Sequence, residues 1–179
     1  MANNKPTAVF IDTSALIALV GSRDQHHSAI HAYFEQSGES IRGVTSNLVL
    51  AEFLSFFSRH GDLEAALRFH DTLLQNLDLK VVWIDLALHG KASKLLSKFS
   101  DQHLSFTDAA SFAIMKEQGL AHALTFDEDF RKAGFQSLPA SRPLDPESLL
   151  LKARLLRSKT KGNPLSDEEL QTAKESGRP

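Results

Sequence analysis

Short apolar segments of strand length alternate with longer helical segments between residues 8 and 138, and no other feature limits the fold as strongly. The predicted strands are 8–11, 41–45, 81–84, 122–125 and 135–138. Helices are predicted between the first four strands, and only a turn at 127–130 is predicted before the last one. The first strand, AVFI, passes through Asp12, Thr13 and Ser14 into the apolar helix 15–19, ALIAL. This alternation predicts an α/β fold of three layers, in which a mostly parallel central sheet is flanked by helices.

Aspartates stand where predicted strands end or predicted helices begin. Asp12 closes the strand 8–11, Asp127 follows 122–125, and Asp108 lies three residues after Ser105 in a capping-box pattern. Parallel strands bring their carboxyl ends to one edge of a sheet, and ligands bind at that edge near the point where the strand order reverses. Each aspartate can also be explained as a helix cap, a role that stabilises a helix by roughly 0.5–2 kcal/mol.

Glu52 lies in a predicted helix that is apolar on nearly every side, with the sequence SNLVLAEFLSFF at 46–57. The pattern therefore predicts that Glu52 is at least partly buried. A buried lone carboxylate is costly, so it is usually paired, protonated or bound to a metal. Two alternatives remain open: a salt bridge to a nearby Arg or Lys, or a helix orientation in which Glu52 and Ser55 share one wet stripe.

Together, Asp12, Glu52, Asp108 and Asp127 would concentrate negative charge at one edge of the sheet. Repulsion among them would destabilise the fold unless cations neutralise it. Hard oxygen ligands without His or Cys suit Mg²⁺ or Mn²⁺. Such ions lower the pKa of a bound water and neutralise phosphate oxygens, so the pattern predicts hydrolysis of phosphodiester bonds.

Composition excludes other kinds of site. The chain has no cysteine, which excludes disulfides, thiolate zinc sites and a cysteine nucleophile. Its apolar windows, such as 48–57, are interrupted by polar residues and are shorter than the roughly 20 residues that span a bilayer. No secretory signal pattern precedes the first strand. These features predict a cytoplasmic protein that has no membrane contact.

Prolines recur from residue 139 onward, and the alternation of apolar strands and helices ends there. The sequence therefore predicts a main domain at 1–142 and a C-terminal extension at 143–179 that is partly helical or flexible. Helices are predicted at 147–156 and, capped by SDEE, from residue 166. The net charge of the chain is only −2, but the stretch 152–161 holds five basic residues and no acid. That stretch could contact phosphate, or it could be a solvated helix end.

Several histidines and aromatic residues receive a structural interpretation. His27 and His31 have the helical spacing of a zinc pair, but a zinc site needs three or four protein ligands, and a solvated helix face is the favoured interpretation. No Ser-His-Asp set is recognisable among the other histidines. Trp83 and the phenylalanines, including Phe56 and Phe57, are predicted to lie in the core rather than to stack on bases.

Four motifs in order resemble the PIN-domain ribonuclease family, and in particular its VapC-type toxins. They are VFIDTS at 9–14, SNLVLAEF at 46–53, SFTDAA at 105–110 and ALTFDEDF at 123–130. The resemblance covers roughly residues 7–138 and implies that 1–142 is a PIN-like nuclease domain in which the first strand is central. It also implies metal-ligand roles for Asp12, Glu52, Asp108 and Asp127.

The same resemblance implies Mg²⁺- or Mn²⁺-dependent endoribonuclease activity, an RNA substrate, a homodimer and inhibition by a VapB-type antitoxin. The extension 143–179 has no counterpart in the motifs of a compact toxin. Asp129 is an alternative to Asp127 as the fourth acid.

Two other functions share part of this pattern. Phosphatases with an aspartate nucleophile need a second aspartate two positions after the first, and Ser14 occupies that position. A PIN-like scaffold that binds RNA or protein without a toxin role is the alternative to the nuclease. Such scaffolds arise by loss of ligands, and the presence of all four acids favours the nuclease.

Overall fold

The computed structural model describes residues 7–37, 41–99 and 104–140. The chain divides into two units, Met1–Ala140 and Ser141–Pro179. The helices predicted at 147–156 and from residue 166, and the basic stretch at 152–161, lie outside the described residues. Among the residues that are described, no helix is long and apolar enough to cross a membrane.

Strands and helices alternate along the described part as predicted. The strands are β1 (Thr7–Ile11), β2 (Ile41–Ser46), β3 (Leu79–Val82), β4 (His122–Leu124) and β5 (Gln136–Leu138). The helices are α1 (Thr13–Val20), α2 (His27–Ser37), α3 (Asn47–His60), α4 (Leu63–Leu74), α5 (Leu86–Lys98), α6 (Phe106–Gln118) and α7 (Glu128–Lys132). The short helix α7 was not predicted, because only a turn was expected after Asp127.

The sheet has the strand order β3-β2-β1-β4-β5, and every pairing is parallel. Strand β1 is central, with Phe10 opposite Val44 of β2 and Ile11 opposite Leu124 of β4. The chain adds strands outward from β1 through β2 to β3 and then returns to the other side of β1 for β4. The strand order therefore reverses between β1 and β4, and the carboxyl ends of these two strands border the crevice where α/β sheets bind ligands.

Local capping explains where the helices nearest this crevice begin. Asp12 caps α1, Ser46 caps α3, and Ser105 caps α6. At α6 the predicted capping box is present in both directions between Ser105 and Asp108. Gly119 ends α6 at a φ of 65°, a conformation that favours glycine. These caps fix the first turns of the helices at the edge of the sheet where the predicted acids lie.

Candidate active site

Asp12 is the most buried of the predicted site acids, with 4% of its surface exposed. Its Oδ2 atom accepts three hydrogen bonds: from the Ser14 amide at 3.2 Å, from the Ser14 hydroxyl at 2.7 Å and from the Thr125 hydroxyl at 2.9 Å. Burial raises the pKa of Asp12, and the hydrogen bonds from Ser14 and Thr125 oppose that rise. The carboxylate is thus held in one orientation by donors from α1 and from the end of β4.

The direction of these hydrogen bonds follows from the backbone. The Phe126 amide donates to the Ser14 hydroxyl at 2.9 Å, and the Asp127 amide donates to the Thr125 hydroxyl at 3.0 Å. An amide N–H can only donate, so each hydroxyl accepts from the backbone and directs its single proton to Asp12. Such chains polarise one another and favour the ionised carboxylate as the final acceptor.

Asp108 lies in the first turn of α6, where its Oδ2 atom accepts from the Ser105 amide at 3.1 Å and from the Ser105 hydroxyl at 2.5 Å. Burial raises the pKa of Asp108 to about 6; the hydrogen bonds from Ser105 act against this rise, and the negative charges of Asp12 and Asp127 add to it. Because those two charges act on Asp108, the structure places both Asp12 and Asp127 within electrostatic range of Asp108.

Asp127 caps α7, and its Oδ1 atom accepts from the Asp129 amide at 2.8 Å. Asp129, the alternative fourth acid, is paired with Lys132 at 2.7 Å. Asp127 forms no ion pair with any Lys or Arg among the described residues. This difference favours Asp127 over Asp129 as the acid that serves the site.

Glu52 is exposed, so the prediction that it is at least partly buried was wrong. Helix α3 buries Val49, Leu50, Phe53 and Phe57, and Glu52 and Ser55 both lie on its solvent side. The structure therefore supports the alternative in which Glu52 and Ser55 share one solvent-exposed face of the helix. Glu52 still reaches the edge where Asp12 lies, because its Oε2 atom accepts a hydrogen bond of 2.7 Å from the hydroxyl of Thr13.

The four predicted acids form an open arrangement. In the ranges 7–37, 41–99 and 104–140, no three His, Asp or Glu side chains stand close enough together to ligate one ion directly. None of the four acids is paired there with a Lys or Arg. Mg²⁺ usually keeps several waters and is bound through one or two carboxylates. The donor set therefore fits an ion held by one or two of these acids and by water, and it does not fit a cage of three carboxylates.

Sequence reasoning missed Thr125 as a member of the site. The residue is 2% exposed, and it joins Asp12 to the backbone of Asp127. A signal for it existed, because Thr125 directly follows the apolar segment 123–124 and lies two residues before the capping aspartate. The hydroxyls of Thr13 and Ser14 also contact site carboxylates, since Thr13 donates to Glu52 and Ser14 donates to Asp12.

The interpretations of His27 and His31 need correction. Each ring nitrogen contacts a carbonyl near the end of α1: His27 Nδ1 lies 2.7 Å from the Ala18 oxygen and His31 Nε2 lies 3.3 Å from the Leu19 oxygen. Because a carbonyl only accepts, both nitrogens donate. The pair therefore ties α2 to α1; it is neither a metal pair nor merely a solvated face.

The prediction that Trp83 lies in the core was also wrong, since Trp83 is 73% exposed. Strand β3 ends at Val82, two residues earlier than predicted, so Trp83 lies in the turn that leads to α5. Phe57 is 5% exposed and belongs to the core, whereas its neighbour Phe56 is 38% exposed.

Comparison with known proteins gives consistent matches to this sequence and fold. The PIN domain family model matches residues 9–136. The 23S rRNA-specific endonuclease VapC20 of Mycobacterium tuberculosis, from two strains, is 31% identical over 127 residues, which are 71% of this chain and 95% of the relative.

Solved structures match over similar lengths. The crystal structure of M. tuberculosis VapC20, described as a sarcin-ricin loop cleaving toxin, matches with a TM-score of 0.65 and 29% identity, over 71% of this chain and 95% of that one. VapBC2 from Rickettsia felis, bound to a DNA fragment from its promoter, gives a TM-score of 0.55 at 13% identity, over 73% and 97%. FitAcB from Neisseria gonorrhoeae gives 0.52 at 14% identity, over 72% and 95%.

Proposed function

The chain belongs to the PIN-domain family, in its VapC type, and on that premise we propose that it is a divalent-metal-dependent endoribonuclease acting as a toxin. One observation carries the proposal. Asp12 and Asp127 act electrostatically on Asp108 near the point where the strand order reverses, and none of the three is paired with a Lys or Arg among the described residues. Cations stabilise clustered carboxylates of this kind by neutralising their charge. Divalent cations bound there would also support hydrolysis of phosphodiester bonds.

Asp12 and Asp108 are the acids that would hold the principal Mg²⁺ or Mn²⁺ ion directly. Glu52 and Asp127 would act through water or complete a second site. Bound there, the ion would supply a water of lowered pKa and positive charge for the phosphate. The chain's own contribution is orientation, because Ser14 and Thr125 fix the carboxylate of Asp12 and the capping box fixes that of Asp108.

Water attack at phosphorus would break the bond to the 3′ oxygen and leave a 3′-hydroxyl and a 5′-phosphate. The substrate proposed for this chain is the sarcin-ricin loop of 23S rRNA. Support comes from VapC20, which shares 31% identity with this chain over 95% of its own length and is named for that RNA.

Membership of the family also supports a cytoplasmic homodimer that is inhibited by a VapB-type antitoxin. The competing function is a PIN-like scaffold that binds RNA or protein without cleaving it. The chain keeps all four acids near the edge of the sheet where the strand order reverses: Asp12, Glu52, Asp108 and Asp127. A scaffold that only binds RNA or protein would not need this set.

Incubation of the full chain with a synthetic sarcin-ricin hairpin should give one metal-dependent cut. The products should form with Mn²⁺, disappear with EDTA and return when Mn²⁺ is added in excess. Asp12→Ala should give no product, whereas Asp71→Ala, which removes an exposed acid outside the site, should cleave normally. Cleavage in EDTA, or equal cleavage by Asp12→Ala, would contradict the proposed mechanism, and binding without cleavage by the wild type would support the scaffold.

A further inference from the structure

The imidazole of His26 lies flat against the ring of Phe126. The ring centroids are 4.0 Å apart and the planes differ by only 9°. His26 is partly buried in the segment between α1 and α2, where its amide donates to Asp24 Oδ1 at 2.7 Å. The stack on Phe126 orients the imidazole, and the backbone hydrogen bond ties His26 to Asp24 in the same segment.

Phe126 places that imidazole at the rim of the carboxylate site. It stands between Thr125, which donates to Asp12, and Asp127, and its own amide donates to Ser14. His26 therefore packs on the short segment that supplies several of the polar groups around Asp12. The two stacked residues are 100 positions apart in the chain, and the fold alone brings them together.

The ring of His26 differs from those of the two neighbouring histidines in its hydrogen bonding. His27 and His31 each contact a carbonyl of α1. In the part of the chain that the structure describes, neither ring nitrogen of His26 forms a hydrogen bond. Since Phe126 covers one face of the ring, the polar edge remains available to a ligand at the rim.

A phosphate approaching the four acids is repelled by them, so hydrogen-bond donors at the rim would assist RNA binding. The two basic residues of α7 are already paired within their helix, Arg131 with Glu128 and Lys132 with Asp129. We propose that His26 is an RNA-binding residue whose ring N–H donates to a phosphate oxygen of the RNA held at the carboxylate edge. This inference rests on the proposed function, since it requires RNA at the carboxylate edge.

Two substitutions separate a phosphate contact from a structural role. His26→Phe keeps an aromatic ring against Phe126 but removes both nitrogens, whereas His26→Ala removes the ring as well. The matched control is His31→Phe, which alters an exposed histidine of the same region. Binding of the labelled sarcin-ricin hairpin is measured by fluorescence anisotropy with the full chain carrying Asp108→Asn, and cleavage kinetics are measured with Asp108 intact.

His26→Phe and His26→Ala should both weaken RNA binding about tenfold, as expected for loss of one hydrogen bond to a charged group, whereas His31→Phe should not. The KM for cleavage should rise by a similar factor with kcat nearly unchanged, because the contact is made equally in the ground state and the transition state. The proposal would be overturned if His26→Phe bound RNA with the same affinity as the wild type. This holds even if His26→Ala bound weakly, because the ring would then serve only in stacking.

The two proposals fail in different ways. If the wild type cleaves the hairpin but His26→Phe binds and cleaves normally, only the role of His26 is lost. If the wild type cleaves no RNA, the nuclease assignment is lost, and the anisotropy series still decides whether His26 contacts the bound RNA.

Discussion

Replacing Asp108 with asparagine should lower the rate of hairpin cleavage at least about a hundredfold while the protein stays folded. Loss of a residue that merely orients a metal ligand costs roughly 10–100-fold, so loss of a direct ligand should cost no less. The asparagine amide oxygen can still accept from the Ser105 amide and hydroxyl, so the cap of α6 is kept. The measurement is kcat/KM with Mn²⁺, with Asp71→Asn as the control. A rate within a few fold of wild type would remove Asp108 from the site.

The same substitution should stabilise the metal-free protein at high pH. The pKa of Asp108 is raised from 3.8 to about 6 on folding, so folding favours the protonated acid. The free energy of unfolding of the wild type therefore falls as the pH rises from about 4 through about 6. At pH 8 it is lower than in acid by about 1–3 kcal/mol. In EDTA, Asp108→Asn should therefore unfold at a higher urea concentration than wild type at pH 8, with a smaller difference at pH 4. Equal unfolding midpoints at pH 8 would contradict this origin of the pKa shift.

Replacing Thr125 with valine should impair both stability and catalysis. Valine keeps the shape but removes the hydroxyl, so Asp12 loses a donor and the Asp127 amide loses its acceptor. Leaving the Asp127 amide without an acceptor costs about 1–3 kcal/mol of stability. Misorienting a metal ligand, here Asp12, typically lowers activity about 10–100-fold.

Urea unfolding and Mn²⁺-dependent cleavage are both measured for this variant. The matched control is Thr45→Val, which removes a buried hydroxyl that donates to the Ile11 carbonyl and touches no site acid. Thr45→Val should lose stability but keep most of its activity. Thr125→Val cleaving at the wild-type rate would show that the hydroxyl does not position Asp12.

The strands of the sheet and the positions of the three aspartates could be predicted from the sequence, because both depend on local sequence patterns. Strands and helices differ in the period of their apolar residues, and the alternation of the two is enough to predict parallel strands. Asp12 and Asp127 could be placed at one edge because Asp12 directly follows a strand and Asp127 follows another strand within three residues. Asp108 was marked by the capping box with Ser105, which lies only three residues away.

The features that were missed or wrong depend on contacts between distant parts of the chain. Thr125 and Asp12 are 113 residues apart, and no local pattern shows that β4 lies beside β1. Glu52 was predicted to be at least partly buried because α3 is rich in apolar residues, but that richness does not say which side of the helix the sheet covers. Trp83 was misplaced for a similar reason, since the apolar run extends two residues beyond the last residue that pairs with β2.

The central claim is that carboxylates distant in sequence act together on a divalent ion, and titration of the full chain with Mn²⁺ by isothermal calorimetry tests it most directly. The wild type should give a saturable heat at pH 7.5. Near pH 6 that heat should also depend on the buffer, because Asp108 must release a proton when it binds the ion. Asp12→Asn and Asp108→Asn should each abolish the heat, while Asp71→Asn should leave it unchanged. A wild-type heat that persists in both site variants would show that Mn²⁺ binds elsewhere and would contradict the account.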